Sequence, residues 1–231
     1  RIGEIDWNPV EERMRLVEKD RISTDKKSAI EILFDNGVLI RVEKNSRMTI
    51  DISKTKAATN ETTLELLLGK LLLNVPKPIK IKNKVAVKTP TAVAAARGTE
   101  FMVTVNDNKI TDVGVFEGAV GVKSIIKEGQ LSNNEIIINI NEQTHIRPGC
   151  APMKLQTMAP EMLIYREQAM KLRRQANILR QPVPSKTNDP GSARKFLPQR
   201  ENTRRTDKTQ NDTKINADNT REKRNFNQPR R

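Results

Sequence analysis

The side chains able to do chemistry are few and scattered. One histidine, His145, and one cysteine, Cys150, lie close together near the end of a strand-rich region. A lone imidazole is a poor start for a metal site or a general base, because either needs further ligands or a nucleophile beside it. His145 therefore reads as an ordinary strand-edge residue. Glu100 and Glu117 each sit within two residues of a glycine and are the nearest approach to a carboxylate pair for acid–base work. Salt bridges at chain corners explain them more simply. The sequence carries no nucleophile elbow, phosphate loop, dinucleotide fingerprint or paired-histidine zinc motif. No catalytic, cofactor-binding or metal-ligating residue is assigned, and the expectation is a protein that is not an enzyme and carries no cofactor.

Composition sets the frame in which such residues would have to be positioned. The chain has 231 residues, 35% of them hydrophobic, and a net charge of +14. The charge is uneven: residues 1–152 carry +3, residues 153–181 carry +4 and residues 182–231 carry +7. A single cysteine excludes an intrachain disulfide and a cysteine metal cluster. No apolar run approaches the ~20 residues that span a bilayer as a helix. The first residue is Arg1, so a processed or truncated N-terminus, with a targeting segment already removed, is expected.

Residues 1–150 read as a β domain. Ala29–Phe34 and Val38–Val42 flank Asp35-Asn36-Gly37, and an Asn-Gly pair between apolar runs signals a tight turn. Met48, Ile50 and Ile52 alternate with polar residues, as a half-buried strand requires. Asn60–Val75 reads as strand, turn at Gly69, strand. Further alternation marks Val85–Val87, Phe101–Val105, Val113–Phe116 and Ala119–Val122, with a turn at Glu117-Gly118, followed by Glu135–Ile140 and Gln143–Ile146. An apolar run, a glycine and another apolar run recur irregularly around Gly37, Gly69 and Gly118, which fits an irregular β-roll or β-solenoid with glycine at its corners. Trp7 is expected to anchor the N-terminal strand in the core.

Residues 151–181 are a linker and an amphipathic helix. Pro160 suits a first helical position and Pro182 stops the helix. Met162, Tyr165, Ala169, Leu172, Ala176 and Leu179 form one stripe, suited to docking on the β domain or, second, to a dimer seam. Residues 182–231 hold too little apolar surface to offset the entropy of ordering and are expected to be a disordered basic tail. Its clusters Arg194-Lys195, Arg204-Arg205, Lys223-Arg224 and Arg230-Arg231 suit a polyanion such as an anionic membrane surface or polymer. Interspersed acids and the lack of aromatic–basic interleaving argue against nucleic acid. A solvated tail is the simpler reading.

Thr89-Pro90-Thr91-Ala92-Val93-Ala94-Ala95-Ala96-Arg97-Gly98-Thr99-Glu100-Phe101 resembles the central signature of the FecR domain family, T-P-x-A-x-A-x-x-R-G-T-x-F. Glu117-Gly118-Ala119-Val120 resembles its following E-G-x-V, and the run from Trp7 through Asp20-Arg21-Ile22-Ser23-Thr24 resembles its opening. The signature residues are Thr89, Pro90, Ala92, Arg97, Gly98, Thr99, Phe101, Glu117 and Gly118. The resemblance covers roughly residues 3–148. Lys19 stands where the family usually has glycine, and Asn141-Glu142 where a late glycine is common. Physically, Pro90 fixes one φ, the alanines permit close packing, Gly98 allows positive φ, Arg97 and Glu100 can satisfy each other or nearby carbonyls, and Phe101 re-enters the core. The segment is thus first a structural corner and second a partner-recognition surface. The resemblance implies a periplasmic or otherwise extracytoplasmic binding or scaffold module of the bacterial envelope with a protein partner. The alternatives are the sensor part of a transmembrane regulator of an extracytoplasmic sigma factor, and a polyanion-binding envelope protein acting through its tail.

Overall fold

The computed structural model describes residues 7–51, 61–77, 84–126, 129–155, 157–180 and 213–216. The protein is mainly β. The strands are β1 (Asn8–Pro9), β2 (Arg21–Thr24), β3 (Ile30–Leu33), β4 (Leu39–Val42), β5 (Arg47–Asp51), β6 (Glu61–Asn74), β7 (Lys84–Lys88), β8 (Ala92–Ala96), β9 (Glu100–Val105), β10 (Thr111–Glu117), β11 (Ala119–Ile125), β12 (Leu131–Asn139), β13 (Gln143–Ile146) and β14 (Met153–Leu155). Helices α1 (Pro160–Leu163) and α2 (Arg166–Leu179) follow, and β15 (Thr213–Asn216) lies far downstream.

Strand β6 holds the architecture together. Its first half pairs with β5 and β7, and its second half with β4 and β9. It therefore runs from one sheet (β1-β15-β2-β5-β6-β7-β8-β11-β12) into the other (β3, β4, β6, β9, β10, β13, β14). The expected turn at Gly69 is corrected: the chain stays in one strand and kinks there. Gly69 has φ +97°, and a Cβ on it would lie 2.2 Å from Ser46 Oγ and 2.4 Å from Ser46 Cα. The Ser46 hydroxyl fills that space and accepts a 2.9 Å hydrogen bond from the Lys70 amide. A register shift opposite Arg47 and Met48 adds a bulge just before the kink and leaves Leu67 pointing outward.

The alternation read from the sequence becomes the core between the sheets. Ile22, Ile40, Val42, Ile50, Leu64, Leu71, Leu73, Phe101, Val103, Val113, Val115 and Val122 are buried in one cluster. Asn36-Gly37 makes the β3–β4 turn, with Gly37 at φ +81°. Lys19 and Asn141, which replace family glycines, keep the left-handed conformation at φ 73° and 66°. Trp7 is half-buried just before β1, and Ile52 lies outside the described residues.

The helices dock on the outer face of the second sheet, where alternate residues of each strand point away from the main core. Leu39, Leu72, Met102 and Phe116 form a second cluster with Met158, Met162, Ala169, Leu172 and Ala176, with Tyr165 against it. The single helix expected over 160–181 is broken by a turn at Ile164-Tyr165. Its stripe is otherwise as read, except that Leu179 at the C-terminal end is half-exposed. Gly114 is the floor of this contact: a Cβ there would lie 2.7 Å from Met162 Cγ.

The reading of 182–231 as a uniformly disordered tail is corrected at Thr213–Asn216, which is paired in the sheet between β1 and β2. Main-chain pairing at a sheet edge needs no apolar core of its own, which a composition argument overlooks. The rest of that segment lies outside the described residues.

Gly69→Ala should destabilise the fold by about 2–4 kcal/mol, since it adds both backbone strain and a clash with a buried partner. Chemical denaturation measures it, and a loss below about 1 kcal/mol would mean the kink does not depend on glycine.

Candidate functional site

The outer face of the second sheet presents side chains in rows set by strand register. One end row is Asn74, Glu100 and Glu117, neighbours on β6, β9 and β10. The middle row includes Leu72, Met102 and Gly114, under the helices. The far row is Lys70, Thr104, Asp112 and His145. Glu100, Glu117 and His145 fall on the two polar rows.

At the first row the signature forms a corner. Gly98 has φ +62° and Gly118 has φ +81°, and a Cβ on Gly118 would lie 3.2 Å from the Gly98 carbonyl oxygen and 3.0 Å from Thr99 Oγ1. The two corners are thus in close contact. The Thr99 hydroxyl lies 3.0 Å from both the Arg97 and the Ala119 carbonyl oxygens and ties one corner to the other. Just upstream, Thr89 closes the turn after Pro90. Its hydroxyl accepts from the Ala92 amide at 2.9 Å and from the Thr111 hydroxyl at 2.8 Å. Ala92 and Phe101 are fully buried.

The expected Arg97–Glu100 pair is corrected. Arg97 is exposed, whereas Glu100 is buried and held by a different arginine. Arg173, at the middle of α2, donates through Nε to Glu100 Oε1 and through Nη2 to Oε2 at 2.6 Å. Asn74 Nδ2 donates to the same carboxylate at 2.6 Å. Arg173 Nη2 also lies 2.7 Å from Glu117 Oε2, and Lys77 Nζ lies 2.9 Å from Glu117 Oε1. Arg180 donates to Asn74 Oδ1 at 2.6 Å and to the Gly37 carbonyl at 2.8 Å. A sheet carboxylate turned toward a helix needs this charge, because an unpaired buried carboxylate is costly. Hydrogen bonding from Lys77, aided by the Arg173 charge, holds the Glu117 carboxyl below the usual glutamate range. Hydrogen bonding to Glu100 raises Arg173 above the usual arginine range, and burial lowers Arg180.

Glu100 and Glu117 are therefore brought together, as a carboxylate pair would be, but an arginine bridges them. Neither is left as an open acid or base. Arg173 and Arg180 escaped sequence reading, since nothing at positions 173 and 180 distinguishes them from solvated helix arginines.

At the far row His145 Nδ1 lies 2.8 Å from Asp112 Oδ1. Gln143 Nε2 donates to the same oxygen at 3.3 Å, and Gln143 Oε1 accepts from the Ala159 amide at 2.9 Å. On the other side of the ring, Nε2 faces Arg147 Nε at 3.5 Å. A histidine–aspartate dyad becomes a base only when its second nitrogen meets a nucleophile; here it meets a cation. Lys70 donates to the Tyr165 hydroxyl at 2.9 Å, which ties this row to the helices as well. Cys150 is exposed, and no cluster of three metal-ligating side chains occurs among the described residues. No described helix is long and apolar enough to cross a membrane. Arg194, Lys195, Arg204, Arg205, Lys223, Arg224, Arg230 and Arg231 lie outside the described residues.

Arg173→Ala should cost about 2–3 kcal/mol, less than a fully buried pair because Arg173 is 41% exposed. Glu100→Gln should cost less, because the amide still bonds Asn74 and leaves no buried charge. Equal losses in denaturant titrations would overturn this asymmetry. Glu117, with its pKa depressed by folding, stabilises the protein above the ordinary glutamate value of about 4.3. That contribution is lost as pH falls through the folded-state pKa, so Glu117→Gln should flatten the acid limb of stability against pH.

Residues 20–121 match the family model described as FecR protein. Two crystal structures of a "putative anti-sigma factor" from Parabacteroides distasonis ATCC 8503 were found in the comparison with solved structures. One has 16% identity and a TM-score of 0.49, the other 17% and 0.50. Each comparison covers 63% of this chain and 63% of the solved chain, so the present chain spans less than two thirds of those proteins. At such identity the likeness concerns the fold. No curated protein matches the sequence. The family match takes in the β3–β4 hairpin, the kinked β6, the Arg97-Gly98-Thr99 corner and Glu117-Gly118. Over residues 20–121, less than half of the chain, the protein therefore matches the FecR family.

Proposed function

We propose that this chain is a non-catalytic, protein-binding module of the bacterial envelope that works as the extracytoplasmic sensor part of a FecR-type regulator. The observation that carries this reading is the family match across the whole corner-bearing half of the β domain. The description of the solved neighbours as anti-sigma factors fits the same regulatory class. Consumption of Glu100 and Glu117 by Arg173, Asn74 and Lys77 speaks for a scaffold rather than a hydrolase. The exposed Arg97 corner, held rigid by Thr99 and the docked helix, is the partner-facing surface in this reading, with the basic tail as an auxiliary contact.

A photo-crosslinking residue at Arg97, compared with one at the exposed Asp107 turn, tests this in the cell. The chain should fractionate outside the cytoplasm and capture one discrete envelope protein from position 97 only. A cytoplasmic location, or no capture from either position, would overturn the reading. Binding that requires the tail and collapses at high salt would instead favour the polyanion-binding alternative.

A further inference from the structure

Strand β15 lies between β1 and β2 and pairs with both through the main chain. Thr213, Lys214, Ile215 and Asn216 stand opposite Thr24, Ser23, Ile22 and Arg21. The hydrogen-bonding sides follow from the neighbouring contacts. Thr24 donates its amide to Ser46 at 2.9 Å, and the Ile50 amide donates to Asp20 at 3.0 Å, so the even-numbered residues of β2 face β5. Alternation then turns the Arg21 and Ser23 amides toward β15, and the Lys214 and Asn216 amides toward β2. On the other side Asn8 stands opposite Ile215 and Pro9 opposite Lys214. Proline there needs no donor, because that position faces away from β15. β1 is thus only a short outer rail. Without β15, Arg21 and Ser23 would present an unpaired backbone edge, the usual template for an added strand.

We propose that the β1–β2 gap is a strand-binding groove for an extended segment of a partner protein, and that residues 213–216 are its displaceable resident. This rests on the protein-binding reading above. A four-residue strand held by main-chain pairing carries little affinity of its own, and its occupancy comes from being tethered to the same chain. The intervening stretch 181–212 spans up to about 100 Å when extended, so release from the groove meets no length limit. A partner strand that supplies the same backbone pattern, with side chains that also reach the surrounding surface, competes directly with the resident.

Amide hydrogen exchange on the full chain tests this without any partner, so its failure is separate from failure of the sensor reading. Lys214→Pro combined with Asn216→Pro removes both donors facing β2. Exchange at Arg21 and Ser23 should rise by about 100-fold or more, to the local-opening limit, while Ile22 and Thr24 stay protected by β5. A synthetic peptide spanning residues 210–219, added to the double variant, should restore protection at Arg21 and Ser23, and the same peptide with both prolines should not. Unchanged exchange at Arg21 and Ser23 in the variant, or no restoration by the unsubstituted peptide, would overturn the proposal.

Discussion

The contact that fixes the helices onto the described β structure is the bidentate pairing of Arg173 with Glu100. Glu100 lies on a strand face that is otherwise apolar at its centre, and a carboxylate there cannot be left without a cation. Meeting that need places α2 across the second sheet. Leu172 and Ala176 then sit over Leu72 and Met102, and Arg180 reaches the Asn74 side chain and the Gly37 turn. The same guanidinium spans to Glu117, so the two family corners are clamped from above by one side chain and joined from below by Thr99.

This arrangement explains why the FecR-like signature is dominated by residues with conformational roles. Thr89 is a hydroxyl cap for a turn, Gly98 and Gly118 are left-handed corners in contact, and Phe101 is a core plug. Lys19 and Asn141 show that the requirement is for the backbone conformation rather than for glycine itself. Both retain positive φ, at an energetic cost that glycine would avoid.

Much of the fold could be read from local pattern, because strand alternation, the Asn-Gly turn and the helix stripe are short-range signals. Phe101, Val103 and Val105 are buried as their spacing implies, and Met162, Ala169, Leu172 and Ala176 line the helix contact. What escaped depended on distant partners. Gly69 looks like a turn until Ser46 is seen occupying its missing side chain. Glu100 looks free to meet Arg97 until Arg173, remote in sequence, takes it. The strand at Thr213–Asn216 has no composition signal, because it is placed by main-chain pairing with the distant β2.

The chemistry of the two polar rows follows from what each is paired with. A general acid must carry a proton near neutral pH, and Glu117, held below the ordinary glutamate range by Lys77 and Arg173, does not. A histidine base must face a hydroxyl or thiol, and His145 faces Arg147. In both rows a cation stands where a substrate or nucleophile would have to be. The charges are used to fix helices and corners onto a β scaffold.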